Sequence, residues 1–552
     1  MPLSFPIGDN SLRDRYAHEG LRYMPHILSL IDQNPLSVTY GCGDRPYWLY
    51  KAIDYPCGMY GEFALPLAQA YSYQIPGNPY LGQQKIRELS LAVMRFAARS
   101  GHADGSTDDF YPYERALGAT GFTLYAMAEA VQILKISDPD ILEFLERRAR
   151  WLARSEETGL LSNHHALRLL ALTLVSQVVG NKSLRGDIER HRDRLLSWQS
   201  EEGWFPEYGG FDLGYHSFTI TFLAQLRAVT GDDVLTEPLR RAVDLCADLF
   251  GADGSFGGET GSRNSYHVLP HGLELLAYEF PSARYAADRF LEAIHSGNRS
   301  YLEDNRTFCH YQYNFLNAWR DFADRAGAAP WRPEDGVRDY PGGGIARVRH
   351  GDLHALVSYQ KGGVVKATKA HGPVASDTGI CCRDTAGVVM APARDGAVSV
   401  DISQLEPDVT RIVVKTNFAR VPNTLMANPV RFLIFRMLNL TLGRFWPNVL
   451  RAALQRLLIK PKDRLPFDVE RTIDIGPDTI LISDRIRRRD PGIKLEKIMS
   501  STDLTTLYTA SSNPWQASRL FAWLDHSERA SEFEREGEIR VERTWDCTDR
   551  SA

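Results

Sequence analysis

Residues 201–226 read EEGWFPEYGGFDLGYHSFTITFLAQL. A turn rich in glycine and aromatic rings runs into Tyr215-His216. Apolar residues then recur at three- and four-residue steps, through Phe218, Phe222, Leu223 and Leu226, which predicts a helix. Gly203 stands twelve residues before Tyr215-His216. In GSFGGETGSRNSYH (254–267), Gly254 stands twelve residues before Tyr266-His267. ADGSTDDFYPYERALGATGFTLYAMAEAV (103–131) is a looser copy without the Tyr-His pair. Helix–loop–helix units about fifty residues apart predict an α/α toroid or solenoid, whose loops surround a cleft at one end.

The same helical periodicity runs through the first three-fifths of the chain. It is present in QQKIRELSLAVMRFAARS, ILEFLERRARWLARS and HHALRLLALTLVSQVV. After about residue 335 the period changes. GIARVRHG, LHALVSYQ, GVVKATKA, RIVVKTNF, VERTIDIG and EIRVERTW are short, rich in β-branched residues and bounded by Gly, Asp or Pro. The expected fold is an incomplete N-terminal α/α toroid over 1–330, a linker over 331–345 and an antiparallel β-sandwich over 346–552. A helical basic insertion at about 425–462 interrupts the β pattern. From Val409 to Lys462 there is no Asp or Glu, while ten Lys and Arg occur. Pro447 should divide this segment into two helices.

A chain of 552 residues is too long for one ordinary core, which predicts two or three domains. The net charge of −5 argues against a general nucleic-acid binder. Seven cysteines with no recurring metal-ligand spacing read as reduced, mostly buried thiols. MPLSFPIGDN lacks the apolar segment of a secretory leader, and no uncharged run is long enough to span a bilayer. The expected location is cytoplasmic, with peripheral contact to an anionic membrane surface through 429–460.

Four places carry side chains suited to catalysis: Asn163-His164 in LLSNHHALRLLAL, Tyr215-His216, Tyr266-His267, and His371 in KATKAHGPVASDTG. Singly, each has a plain structural reading. Asn163 suits a helix N-cap, Tyr266-His267 reads as a relic of the repeat, and His371 fits a turn. Jointly they form a pattern. Asn163-His164, the run Gln199, Gly203, Glu207, Tyr215-His216, and His371 with Asp377 resemble the motifs of heparinase II/III-like polysaccharide lyases and their alginate-lyase relatives. The order of helical and β domains matches as well. The spacing from Glu207 to Tyr215-His216 is longer than that family's usual form, and AHGPVASDTG is a loose version of its β-domain segment.

The resemblance implies β-elimination on a uronic-acid polysaccharide. It makes Asn163, His164, Tyr215 and His371 the candidate catalytic residues. Asn163 and His164 would hydrogen-bond the enolate-like anion left when the C5 proton departs. Tyr215 would serve as acid or base, with His371 or His216 as the other candidate. Trp204, Tyr208, Glu207, His216, Arg115 and Arg263 are the candidate substrate contacts, and the glycines would let backbone approach the sugar. An acidic polysaccharide is the expected partner, and the chemistry requires no metal or organic cofactor. Other readings of the same pattern are a uronate C5-epimerase, a glycoside hydrolase using loop carboxylates such as Asp108 and Glu259, and a non-catalytic glycan-binding protein. A terpene-cyclase-like barrel lacks its three-aspartate motif here.

Overall fold

The computed structural model describes residues 11–157, 159–297, 305–323, 325, 331–393, 399–421, 428–458, 464–505 and 515–548, with side chains of the second insertion helix described to Leu454. The helical part holds α1 (Leu12–Arg22), α2 (Met24–Leu30), α3 (Arg45–Trp48), α4 (Ala64–Ser72), α5 (Gln84–Ser100), α6 (Leu117–Leu134), α7 (Pro139–Arg154), α8 (Ser162–Val179), α9 (Arg185–Leu196), α10 (Leu213–Thr230), α11 (Thr236–Asp248), α12 (Pro270–Leu276), α13 (Pro281–His295) and α14 (Cys309–Arg320). Two kinds of helix alternate. α6, α8 and α10 are apolar nearly all round and buried along most of their length, as inner helices must be. α5, α7 and α11 carry one apolar stripe and lie outside them.

The inner helices touch in cyclic order. α4 packs on α6, α6 on α8, α8 on α10, α10 on α12, α12 on α14, and α14 returns to α4. Each is backed by an outer helix, and α14 takes α1, from the start of the chain, as its partner. An incomplete toroid was the sequence expectation; the inner helices return to α4 through α14, and α1 backs α14 as the sixth outer helix.

The glycine repeat has a packing cause. Gly41, Gly105, Gly203 and Gly254 all have φ between 75° and 98°. At each, an added Cβ would lie within 2.7 Å of outer-helix backbone: at Ala92 of α5, Arg148 of α7, Arg241 of α11 and Arg289 of α13. These glycines let the turn before each inner helix sit against the backbone of the outer helix that follows. Substrate approach is therefore not what Gly203 is for.

The β part has three five-stranded antiparallel sheets. The first joins β1 (Gly336–Tyr340), β2 (Ile345–His350), β3 (Leu353–Ser358), β4 (Val364–Lys369) and β5 (Gly372–Asp377) in sequence order. β1 falls inside the span expected to be linker, because Gly336–Tyr340 pairs with Arg349–Ile345. The remaining strands are β6 (Gly379–Asp384), β7 (Val389–Pro392), β8 (Ser399–Glu406), β9 (Val409–Thr416), β10 (Phe418–Arg420), β11 (Phe467–Ile475), β12 (Thr479–Arg488), β13 (Leu495–Ser501), β14 (Leu524–Asp525) and β15 (Glu538–Asp546). They form sheets of order β10-β7-β6-β13-β14 and β15-β12-β11-β9-β8. The last sheet is one layer of the core. Ile412, Val414, Ile473 and Ile482 face the first sheet, while Phe467, Val469 and Ile486 face the second. β11 shows why: its residues alternate buried and half-buried along the whole strand.

The insertion forms α15 (Pro429–Leu438), a π-helical turn at Asn439–Gly443, and α16 (Pro447–Leu458), with Pro447 at the break as expected. Asn428 caps α15, its Oδ1 accepting from the amides of Val430 (3.0 Å) and Arg431 (3.2 Å). α15 buries none of its residues. Ten large apolar side chains between Val430 and Val449 are exposed. They are 41–66% exposed, so each gains only part of the roughly 1.5–3 kcal/mol that full burial gives.

Two buried histidines should make stability depend on pH. His216 Nε2 donates to Ala242 O (3.0 Å) and His354 Nε2 donates to Asp248 O (3.2 Å). Burial pushes both down to about 4. A histidine with a lowered folded pKa contributes stability that is present above its unfolded pKa of about 6.5 and lost as pH falls below it. Urea denaturation at pH 7, 6 and 5 should show falling stability. His354→Leu should flatten that slope by about 1.4 kcal/mol per pH unit, whatever its cost at pH 7.

Candidate active site

The first turns of the inner helices bring the site together. Asn163 and His164 are the second and third residues of α8, and Tyr215 is the third of α10. Asp212 caps α10, accepting from the Tyr215 amide (3.1 Å), and its other oxygen accepts from the Arg263 amide (2.7 Å). One carboxylate thus ties the start of α10 to the 258–265 loop. The β part grips that loop from the other side. Lys361 Nζ donates to Gly261 O (2.8 Å) and Asn264 Oδ1 (2.6 Å), and Thr505 Oγ1 also reaches Asn264 Oδ1 (3.2 Å).

Arg263 is the hub. Its guanidinium lies 4.1 Å from the Tyr215 ring centre and 4.9 Å from that of Tyr208. Its Nη1 meets Glu207 Oε1 at 3.0 Å, and Glu207 Oε2 accepts from Asn163 Nδ2 at 2.8 Å. Asn163, Glu207, Arg263 and Tyr215 are therefore one connected network. Among the described residues, Asn163 Oδ1 is buried with no hydrogen-bond partner. His164 Nδ1 lies 2.9 Å from Glu157 Oε2, which holds the ring by that edge.

The electrostatics separate the tyrosines. Burial pushes Tyr208 up to about 12 against the pull of Arg263. Burial, reinforced by Glu259, pushes Tyr266 well above the usual phenol range. Tyr215 is half-buried and nearest the guanidinium. Burial alone would lower Arg263, but Tyr215, Glu207, Tyr208 and Asp212 outweigh it and keep the guanidinium charged. Burial also lifts Glu207 above the carboxylate range, opposed by Arg263, His164 and Asn163.

The other expected residues fall elsewhere. His216 is buried and turned toward α11. Trp204 donates to Glu202 Oε2 (2.9 Å), and the Glu202 carboxylate accepts from the amides of Gly342 (2.7 Å) and Gly343 (2.9 Å); Trp204 belongs to the contact with the β1–β2 turn. Arg115 pairs with Asp104. His371 lies on the exposed turn between β4 and β5, where neighbouring Lys369 pairs with Asp352 and Asp478. The contacts that connect Asn163, Glu207, Arg263 and Tyr215 do not include it. Asp377, quoted above with His371, is buried between Arg471 and Arg543 and holds sheets together.

Sequence reasoning set His267 aside as a relic of the repeat and missed three more rings beside the network. His267 stands edge-on to Tyr215 at 6.0 Å and lies 5.0 Å from Tyr311. His310 stacks on Phe122 at 4.1 Å, and its Nδ1 meets the buried Glu62 at 2.8 Å. The available signal was position: His310 and Tyr311 open α14 as Tyr215 opens α10. Among the described residues, no cluster of three His, Cys, Asp or Glu is placed to hold a metal ion.

Space is tight behind His164. A Cβ on Gly118 would lie 2.7 Å from His164 Cε1 and 2.9 Å from Nε2. Gly118→Ala should displace that ring and lower kcat/KM by on the order of 10–100-fold, with an unchanged melting curve. A fully active variant would show that the position of His164 does not matter.

The class that the comparisons define is one of fold: the chain shares the fold of a solved polysaccharide lyase. The chondroitin AC lyase of Streptomyces coelicolor A3, solved with chondroitin sulphate, matches at a TM-score of 0.52 and 11% identity, over 99% of this chain and 80% of that one. Heparinase III matches at 0.48 and 9% identity, over 89% and 75%. The heparan sulfate lyase HepC of Pedobacter heparinus matches at 0.39 and 9% identity, over 99% and 84%. At such identities the likeness is one of fold, and it rests on the first of the three. No protein-family model matches the chain, and no curated protein matches it by sequence.

Proposed function

We propose that this protein is a polysaccharide lyase that cleaves a uronic-acid-containing polymer by β-elimination. Its cyclic helices are read as the α/α toroid whose loop end holds the polymer. The observation that carries the reading is the connected Asn163–Glu207–Arg263–Tyr215 network, built where the inner helices begin.

A base removes the C5 proton, the C5 electrons form the C4–C5 double bond, and the C4–oxygen bond breaks toward the departing sugar. That oxygen then needs a proton. Positive charge beside a phenol favours its anionic form, and Arg263 supplies that charge to Tyr215. Tyr215 is the phenol held against that charge, and it is assigned to both ends of the elimination. As phenolate it takes the C5 proton, and as phenol it returns it to the leaving oxygen. Asn163 has a second amide hydrogen beyond the one given to Glu207, and it is assigned to the uronate carboxylate, where charge accumulates; His164, held by Glu157 at Nδ1, opens the same helix beside it.

The test is to incubate the purified protein with alginate, chondroitin, hyaluronan, heparan and bacterial exopolysaccharides in deuterated buffer. Absorbance of an unsaturated uronate at new chain ends supports the reading. Saturated ends would assign hydrolysis instead. Deuterium at C5 without cleavage would assign epimerisation, and the absence of all three across the panel would leave glycan binding as the function.

A further inference from the structure

We propose that the α15–α16 insertion docks the protein onto a lipid bilayer surface bearing anionic headgroups. The proposal stands apart from the active-site reading, since it concerns binding and not turnover.

Three observations carry it. The first is the exposed apolar surface. Phe432, Leu433, Ile434 and Met437 on α15 are 54–62% exposed, and Phe445 and Trp446 at the break are 66% and 60% exposed. Large apolar side chains exposed together in this way mark an interaction site. On the helical part Tyr50 and Phe110 are also exposed, at 64% and 67%. They flank the residues that α15 touches: Arg436 pairs with Asp54, and Phe435 lies edge-on to Tyr111 at 5.6 Å.

The second observation is charge. Residues 428–458 hold five arginines and no Asp, Glu or Lys, with Arg436 and Arg451 turned to the helical part. Arg431 and Arg444 are exposed beside the apolar side chains. Apolar residues seated at the headgroup boundary with arginines on lipid phosphates are what a peripheral membrane helix requires. A second copy of this chain fits poorly. A two-fold contact would set the same patch against itself, arginine facing arginine with no carboxylate from either insertion.

The third observation is anchorage. Arg451 donates to the backbone oxygens of Glu114 and Arg115, and Arg444 lies over the Tyr113 ring at 5.7 Å. The insertion is thus held to the helical part by polar and edge contacts, with Leu450 buried, and ten of its large apolar side chains are left exposed. No helix among the described residues is long and apolar enough to cross a membrane, so the geometry points to lying on the surface.

The experiment is flotation of the full chain with phosphatidylcholine vesicles, with and without 30% phosphatidylglycerol, at 50 and 500 mM salt. We expect at least tenfold more bound protein on the anionic vesicles at low salt, a fall of similar size at high salt, and a blue shift of Trp emission. Phe432→Ser combined with Trp446→Ser should abolish flotation. Arg431→Glu should weaken it on anionic vesicles only. Neither should change the melting temperature or the elution volume. Failure of the intact protein to float at low salt would overturn the proposal. So would a dimer in solution that the double variant dissociates, since the face would then belong to a second copy.

Discussion

Tyr215→Phe is expected to lower kcat on a cleaved uronate polymer by about 10²–10⁴-fold while KM stays near its original value. The substitution removes one oxygen and keeps the ring. The ring makes the structural contacts: 5.2 Å to Phe218, 6.0 Å to His267, 4.1 Å to the Arg263 guanidinium. These ring contacts are therefore conserved, and the hydroxyl that would carry the proton is lost. Arg263→Lys should also cost activity, because an ammonium cannot pair Glu207 and lie flat against two rings together. A matching rise in KM with little change in kcat would make Tyr215 a binding residue and move the chemistry elsewhere.

The second large effect is on stability. Asp377→Ala should destabilise the chain by about 3–5 kcal/mol in urea denaturation. Asp377 Oδ1 meets Arg471 Nη2 at 2.5 Å and Oδ2 meets Arg543 Nε at 2.7 Å, while Asp484 sits across from both arginines. All four are buried, two carboxylates against two guanidiniums. Removing one carboxylate strands positive charge in the core between β5 and the β11–β12–β15 sheet. Burial alone would raise Asp377, but Arg471 and Arg543 outweigh burial and hold it far below the carboxylate range. A lowered folded pKa means the stability is fully present above about pH 4 and lost as pH falls below that, toward the folded value. The variant should therefore lose part of the acid limb of the stability profile. A cost below about 1 kcal/mol would show that water reaches the cluster.

What was legible in the sequence follows from what is periodic. Inner and outer helices differ in apolar pattern, so LGATGFTLYAMAEAVQIL and PDILEFLERRARWLAR could be told apart by reading. The change of period near residue 335 marked the β part. The glycine spacing was visible too, but its cause was not, because close backbone approach to an outer helix is a three-dimensional fact. Asn163, Glu207, Tyr215 and Arg263 were legible as candidates because each is a chemical group at a helix start or in a ring-rich loop. His216 and His371 carried the same chemical promise. Only the fold shows one turned to a backbone carbonyl and the other on an exposed turn. His310 and Tyr311 were passed over because their loop has no glycine-to-Tyr-His spacing, although their position in α14 repeats that of Tyr215 in α10.

The pairing of α1 with α14 bears on how the chain is made. Tyr16 and Leu21 of α1 are fully buried, and Tyr16 packs against Phe315 of α14. Nearly 300 residues separate Arg22 from Cys309. At about 5–20 residues per second, a ribosome needs on the order of tens of seconds to cover that distance. Through all of it the first helix has synthesised neighbours but no final partner. Its apolar stripe waits for α14 during that interval, and an α1 peptide added in trans would compete with the native helix for the outer face of α14.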